Sequence, residues 1–411
     1  MKQLQSLLLQ LISPRTSITA DEIAKINGAQ WQSLLEMAQE HRILPLLYWR
    51  LITEHAFALP EAVSQKLHQS FRRSTFKSLR QQRQLLQLSQ LFDEHQIPYM
   101  ALKGSQLVGL YPHRALRPMR DLDLLIPESH IMTAYQLLIA QGYHHPKGYQ
   151  KDLASYLALQ KHLPLLVDPS GQLPVELHIR VLEPSWFADQ DFTDEADFWQ
   201  RSQTITLSGQ TIRVMSATDL LLHLIIHSCY DHYFNNGPLI FSDLFYLLQT
   251  ETIDWSQFWQ MAQQRNITQG CLLVLEMVRH YYEMPEIEIP TALLSIQTQI
   301  AKQAPSYALL TLQNYSERAN QASLSLLHQQ HSLWGKINII RQKLLPPRQL
   351  MGLKYPVDPH SFKVWKYYFY HVGKLLLRIP QYLALRHQTE LDHEAKDLAR
   401  LKNWLNHSRK H

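Results

Sequence analysis

Leu4, Leu7, Leu8 and Leu11 recur three and four residues apart, the spacing that lines up side chains on one face of a helix. The same spacing continues through Trp31, Leu34, Leu35 and Ala38, and His41 to Leu47 leads into another turn. Thr19, with Glu22 three residues on, has the pattern of a capping box and predicts a helix start. Residues 62–94 predict one long polar-rich helix with Leu67, Phe71, Phe76, Leu79, Leu85 and Leu88 as its apolar positions. Its Arg72, Arg73, Lys77, Arg80 and Arg83 read as a solvated basic face, with an anion-binding flank as the alternative. Residues 1–94 are thus expected to form an N-terminal helical region.

The pattern changes after residue 95. Tyr99, Met100, Ala101 and Leu102 form a short apolar run, Gly104-Ser105 should open a helix, and Asp121 to Ile126 reads as a second strand. Ser129 to Gly142 predicts a helix closed by Gly142. Lys161–Val167 and Pro174–Val181 are strand-like, joined by the turn formers Asp168-Pro169-Ser170-Gly171. Residues 203–207 and 211–215 predict a hairpin through Ser208-Gly209. Ser216 is placed to cap a helix over Ala217–Tyr230, and further helices follow at about 238–250, 255–265, 269–283, 291–303 and 306–330. Two more are expected at 359–387 and 390–408. The expected class is α+β: a small mixed sheet core over 95–215, a helical domain over 216–330 and a helical tail over 331–411, with helices on both sides of the core.

Composition adds limits. The chain has 411 residues, 45% hydrophobic and 18% charged, which excludes a disordered chain. Two cysteines, Cys229 and Cys271, sit in apolar helical patterns without metal-ligand spacing and read as buried thiols. No apolar run reaches the length of a membrane span, and the N-terminal leucines, interrupted by glutamines, read as a helix rather than a signal peptide. The expected location is cytoplasmic. The formal charge of +5 is uneven: from residue 331 onward there are fifteen Lys and Arg against five Asp and Glu. That tail interleaves Trp365, Tyr367, Tyr368, Phe369, Tyr370 and Trp404 with Lys363, Lys366, Lys374 and Arg378. Amphipathic helices packed on the core account for this pattern; RNA binding and contact with an anionic membrane surface are the alternatives.

The chemistry concentrates between Ile97 and Pro127. Asp121 and Asp123 are two apart on one predicted strand, hence on one face and about 6.6 Å apart along the backbone. Two such carboxylates repel unless a cation lies between them, and Mg²⁺ takes oxygen ligands while leaving room for phosphates. A strand-edge pair, or ion pairs with Arg117 and Arg120, would explain them without a metal. Gly104 allows close backbone approach to a phosphate, Ser105 offers a hydroxyl, Lys103 a positive charge, and Arg117 a bidentate guanidinium. His223 and His227, one helical turn apart and close in sequence to Asp231, His232 and Asp243, suit a polar cluster, a substrate lining or a transition-metal site.

Taken together, Leu102-Lys103-Gly104-Ser105, Tyr111, Arg117 and Asp121-Leu122-Asp123-Leu124-Leu125 resemble the nucleotidyltransferase superfamily. They are closer still to a family of uncharacterised nucleotidyltransferases. The likeness runs from about Trp31 to about Arg279 and is densest over 101–126 and 174–180. The segment between Ser105 and Asp121 is longer than in the compact enzymes of the superfamily. The resemblance implies a third carboxylate on a later strand, and Glu176 in Val175-Glu176-Leu177-His178 fits it. His178, two residues on, would share its face and orient Glu176, touch substrate or join the metal shell. The implied activity moves a nucleoside monophosphate from an NTP such as ATP to an unidentified acceptor, with Mg²⁺ held by Asp121, Asp123 and Glu176. The acceptor could be a small molecule, a protein or RNA. The alternative is a non-enzymatic binding protein that keeps a degenerate form of the fold and holds RNA or a protein partner.

Overall fold

The structure is a computed structural model, and it describes residues 2–14, 17–146, 153–183, 194–282, 284, 287–313, 332–377 and 396–405. The chain divides into two units. One comprises Met1–Ile126 and Thr193–Asn314 with His411, the other Pro127–Phe192 and Tyr315–Lys410. The strands in chain order are β1 (Met100–Ala101), β2 (Leu122–Leu125), β3 (Leu166–Val167), β4 (Pro174–His178), β5 (Gln203–Leu207) and β6 (Gln210–Val214). The architecture is a small mixed sheet flanked by extensive helices, the α+β class that the pattern implied.

In the first unit β1 is central. It pairs antiparallel with β2 (Met100↔Leu125, Ala101↔Leu124) and parallel with β6 (Ala101↔Val214). β6 pairs antiparallel with β5 through a two-residue turn whose Ser208 and Gly209 both have positive φ. Every residue of β2 is buried, so this strand is covered on both faces, and Asp123 is its one polar member. The Thr19–Glu22 capping box is present, and Ser216 caps its helix by accepting from the Asp219 N–H at 3.2 Å. Helices Ala217–Ile225, Leu239–Thr250 and Thr268–Tyr282 build a core of mostly apolar side chains that includes Cys229 and Cys271, both free and buried. Burial pushes both thiols well above the ordinary range.

The long helix Glu61–Glu94 departs from its apolar pattern. Phe76 and Leu79 are exposed, while Ser78, Gln81, Gln84 and Ser89 are buried. Ser89 meets the Tyr99 hydroxyl, and the loop between β1 and β2 offers backbone carbonyls to Ser74, Lys77 and Gln81. Ser74 donates to the Ala115 carbonyl at 2.6 Å, Lys77 to Met119 at 2.7 Å and Gln81 to Met119 at 3.3 Å. Lys77 stays exposed as expected, but its ammonium is partly desolvated against this loop, which lowers its pKa.

In the second unit β3 and β4 form a hairpin, with Leu166↔Val175 and Val167↔Pro174 in register. Asp168 closes it: its carboxylate accepts from the N–H groups of Gln172 and Leu173, both at 2.8 Å, and from the Ser170 hydroxyl at 2.6 Å. The strand expected over 161–167 shrinks to two residues, because Pro164 has no N–H for a ladder. Helix Ile131–Ala140 ends at Gly142 as expected, with the Tyr143 N–H bonded to the Leu138 carbonyl at 3.0 Å. Helices Leu333–Leu344, Arg348–Lys354 and Val364–Leu376 follow, the last two meeting at Met351, Val364 and Tyr368. The parts of the expected helices over 314–330, 378–395 and 406–408 lie outside the described residues.

Candidate functional site

β1 runs into a turn that holds Lys103, Gly104 and Ser105. Lys103 has φ 46 and ψ −115, and the Ser105 N–H reaches the Leu102 carbonyl at 3.2 Å. That is a type II′ turn with lysine in the position normally taken by glycine, a backbone strain of about 1–3 kcal/mol. Asp123 anchors both sides of it. Its carbonyl accepts from the Leu102 N–H at 3.0 Å, and its Oδ1 lies 3.3 Å from Lys103 Nζ. Gly104 is required by close approach: a Cβ there would sit 2.8 Å from Met119 Cγ, 2.9 Å from Met119 Sδ and 3.3 Å from Arg117 Nη1. Ser105 is buried, and its Oγ has no hydrogen-bond partner among the described residues. Asp121 lies just before β2 rather than within it, half-buried, where its charge acts on Lys77.

Arg117 turns to a partner that sequence spacing did not suggest. Its Nε donates to Asp243 Oδ1 and its Nη2 to Oδ2, both at 2.9 Å, and Tyr111 Oη donates to the same Oδ1 at 2.6 Å. Burial opposes the guanidinium charge, but the carboxylate outweighs it and the Arg117 pKa rises. Burial and the Asp243 charge together push the Tyr111 phenol well above its ordinary range. Two of the three guanidinium nitrogens are thus engaged by Asp243, and Nη1 faces the Gly104 turn. The pairing joins residues 126 positions apart, and no local spacing announces it.

In the second unit Glu176 is half-buried on β4, with its Oε2 3.5 Å from His178 Nε2 and 3.9 Å from His162 Nε2. The placement of His178 beside Glu176 follows the strand alternation expected. His162 was not anticipated; an isolated bridge pairs it with His178. The Glu176 charge also adds to burial in raising the Tyr156 pKa. Glu176 and His178 thus offer a carboxylate and an imidazole side by side in this unit, while Asp123 belongs to the other. His223 and His227 are parallel rings 6.0 Å apart in the first unit, with His227 Nδ1 3.7 Å from Asp231 Oδ2 and its ring 4.4 Å from that of His232. Among the described residues they form no group with metal-ligand spacing.

A small mixed sheet, a strained turn after its central strand and a carboxylate on the next strand are consistent with a nucleotidyltransferase-like fold. The family described as uncharacterised nucleotidyltransferase matches residues 27–283, and the chain belongs to that family. No curated protein matches the sequence. Among the described residues no helix is long and apolar enough to cross a membrane.

Proposed function

We propose that the protein is a Mg²⁺-dependent nucleotidyltransferase that moves a nucleoside monophosphate from an NTP to an acceptor hydroxyl. The observation that carries this reading is Asp123 set beside Lys103 at the strained Gly104 turn, in a chain of this family. Carboxylate oxygens of the kind that Asp121, Asp123 and Glu176 carry fit a divalent cation. Asp121, Asp123 and Glu176 would hold the ion, which would supply positive charge to offset that of the nucleotide phosphates. Lys103, already beside Asp123, turns to the phosphates. Ser105 supplies its unpartnered hydroxyl, Gly104 lets the phosphate approach the backbone, and Arg117 offers Nη1. The acceptor oxygen attacks the α-phosphorus, and the bond to the bridging oxygen breaks with its electron pair leaving on pyrophosphate. Glu176 takes the acceptor proton, oriented by His178 at 3.5 Å.

Calorimetry with each NTP, in Mg²⁺ and in EDTA, tests the binding step, and pyrophosphate release tests turnover. Asp121→Asn and Asp123→Asn are each expected to abolish transfer without unfolding the protein. Near wild-type turnover in either variant removes that residue from the site. One observation favours the non-enzymatic alternative: Lys103 and Arg117 both already have carboxylate partners within the chain. It predicts NTP binding that is absent, or indifferent to Mg²⁺.

A further inference from the structure

Fifteen large apolar side chains stand exposed among the described residues, and eleven of them lie between Trp334 and Leu377. Helix Val364–Leu376 shows how this arises, because it has two apolar faces. Val364, Tyr368 and His371 point inward, with Val364 and Tyr368 packed on Met351 and the His371 ring bonded to Tyr355 Oη at 2.7 Å. The other face carries Trp365, Phe369 and Leu376, preceded one turn earlier by Phe362. Phe362 is 90% exposed and Phe369 is 79% exposed. A single core-facing stripe would leave no such row in solvent. Exposed Lys363, Lys366 and Lys374 follow on the adjoining side of the same helix. Across 332–377 there are eight Lys or Arg against one acid, Asp358.

We propose that residues 332–377 form a docking surface for an anionic lipid bilayer. Charge selects the occupant: a surface this basic repels a second copy of itself and attracts a negative one. Side-chain chemistry then selects lipid over RNA. Exposed Ile337, Ile340, Leu345 and Leu377 cannot stack on bases, but they gain by leaving water for the boundary between headgroups and acyl chains. Exposed Trp334 and Trp365 suit the same boundary, and the lysines would meet lipid phosphates. This surface is independent of the transfer chemistry and stands whether or not that reading holds.

The test is flotation of the full chain with vesicles of phosphatidylcholine alone and of an equal mixture with phosphatidylserine. Binding to polyuridylate, followed by anisotropy, runs beside it. The wild type is expected to float only with the anionic vesicles, with tryptophan emission quenched by brominated lipid. Lys363→Glu, Lys366→Glu and Lys374→Glu together should weaken partitioning by about a hundredfold or more. Trp365→Ser with Phe369→Ser should weaken it about tenfold or more. Both variants alter exposed positions, so far-UV circular dichroism should be unchanged, and the quenching of the wild type needs no variant. Equal partitioning to both vesicles, unquenched tryptophans, wild-type affinity in the apolar variant, or tighter binding to polyuridylate than to vesicles would each overturn the proposal. So would dimerisation, seen by sedimentation velocity, that the apolar variant abolishes.

Discussion

Removing the Asp243 carboxylate should do more damage than removing both members of its pair with Arg117. The guanidinium side chain is 15% exposed and the carboxylate 4%, so water cannot take over when one partner goes. Asp243→Leu would strand a buried positive charge that has lost two hydrogen bonds at 2.9 Å, at a cost of about 3–5 kcal/mol. It would also leave Tyr111 Oη without its 2.6 Å acceptor, worth about 1–3 kcal/mol for an unsatisfied buried hydroxyl. These terms overlap and are not simply additive, but either is large beside a total stability of about 5–15 kcal/mol. The double variant Arg117→Met with Asp243→Leu replaces the ion pair by apolar groups of similar bulk and strands only Tyr111. It should recover about 2 kcal/mol or more of the loss. A chain with two units need not unfold in one step, so the measurement is urea titration followed by hydrogen exchange in peptides from 104–120 and 239–250. Asp243→Leu within about 0.5 kcal/mol of wild type, or a double variant worse than that single one, would refute the account.

Three further outcomes follow from local geometry. Gly104→Ala places a methyl against Met119 and should cost about 1–3 kcal/mol in a urea titration, with partial recovery when Met119→Ala is added. Lys103→Gly relieves a strained turn but takes a cation from the buried Asp123 carboxylate, so melting temperature should fall less than for Lys103→Ala, and calorimetric affinity for NTP should fall in both. Asp168 is opposed by desolvation but held below the usual carboxylate range by Ser170 and the N–H groups of Leu173 and Gln172. A depressed folded pKa stabilises above the unfolded value of about 4, and the benefit disappears as pH falls through the folded value. The melting-temperature gap between wild type and Asp168→Ala should therefore be widest near neutrality and close in acid.

Element order was largely readable from residue spacing. The Thr19–Glu22 and Ser216 caps, the Ser208-Gly209 hairpin and the Gly142 stop all use interactions over a few residues, which a linear pattern records directly. So does the placing of His178 beside Glu176, because two residues on a strand share a face. The long helix shows where this ends. Its apolar positions suggested a buried Phe76 and Leu79, but Ser74 and Gln81 turn instead to a loop of carbonyls some forty residues later.

The sequence by itself determined the α+β class, the family and the short-range geometry of the turn and strands, because these follow from periodicity and neighbouring residues. Only the tertiary structure decided which partners the charged groups take. Arg117 could be read as free for phosphate or paired to a nearby aspartate, yet its carboxylate comes from Asp243 on a distant helix. Lys103 could be read as a positive charge for phosphate, yet it lies against Asp123 in a turn that strains its backbone. Charge pairing depends on distance in space and on burial, and neither is a function of separation along the chain.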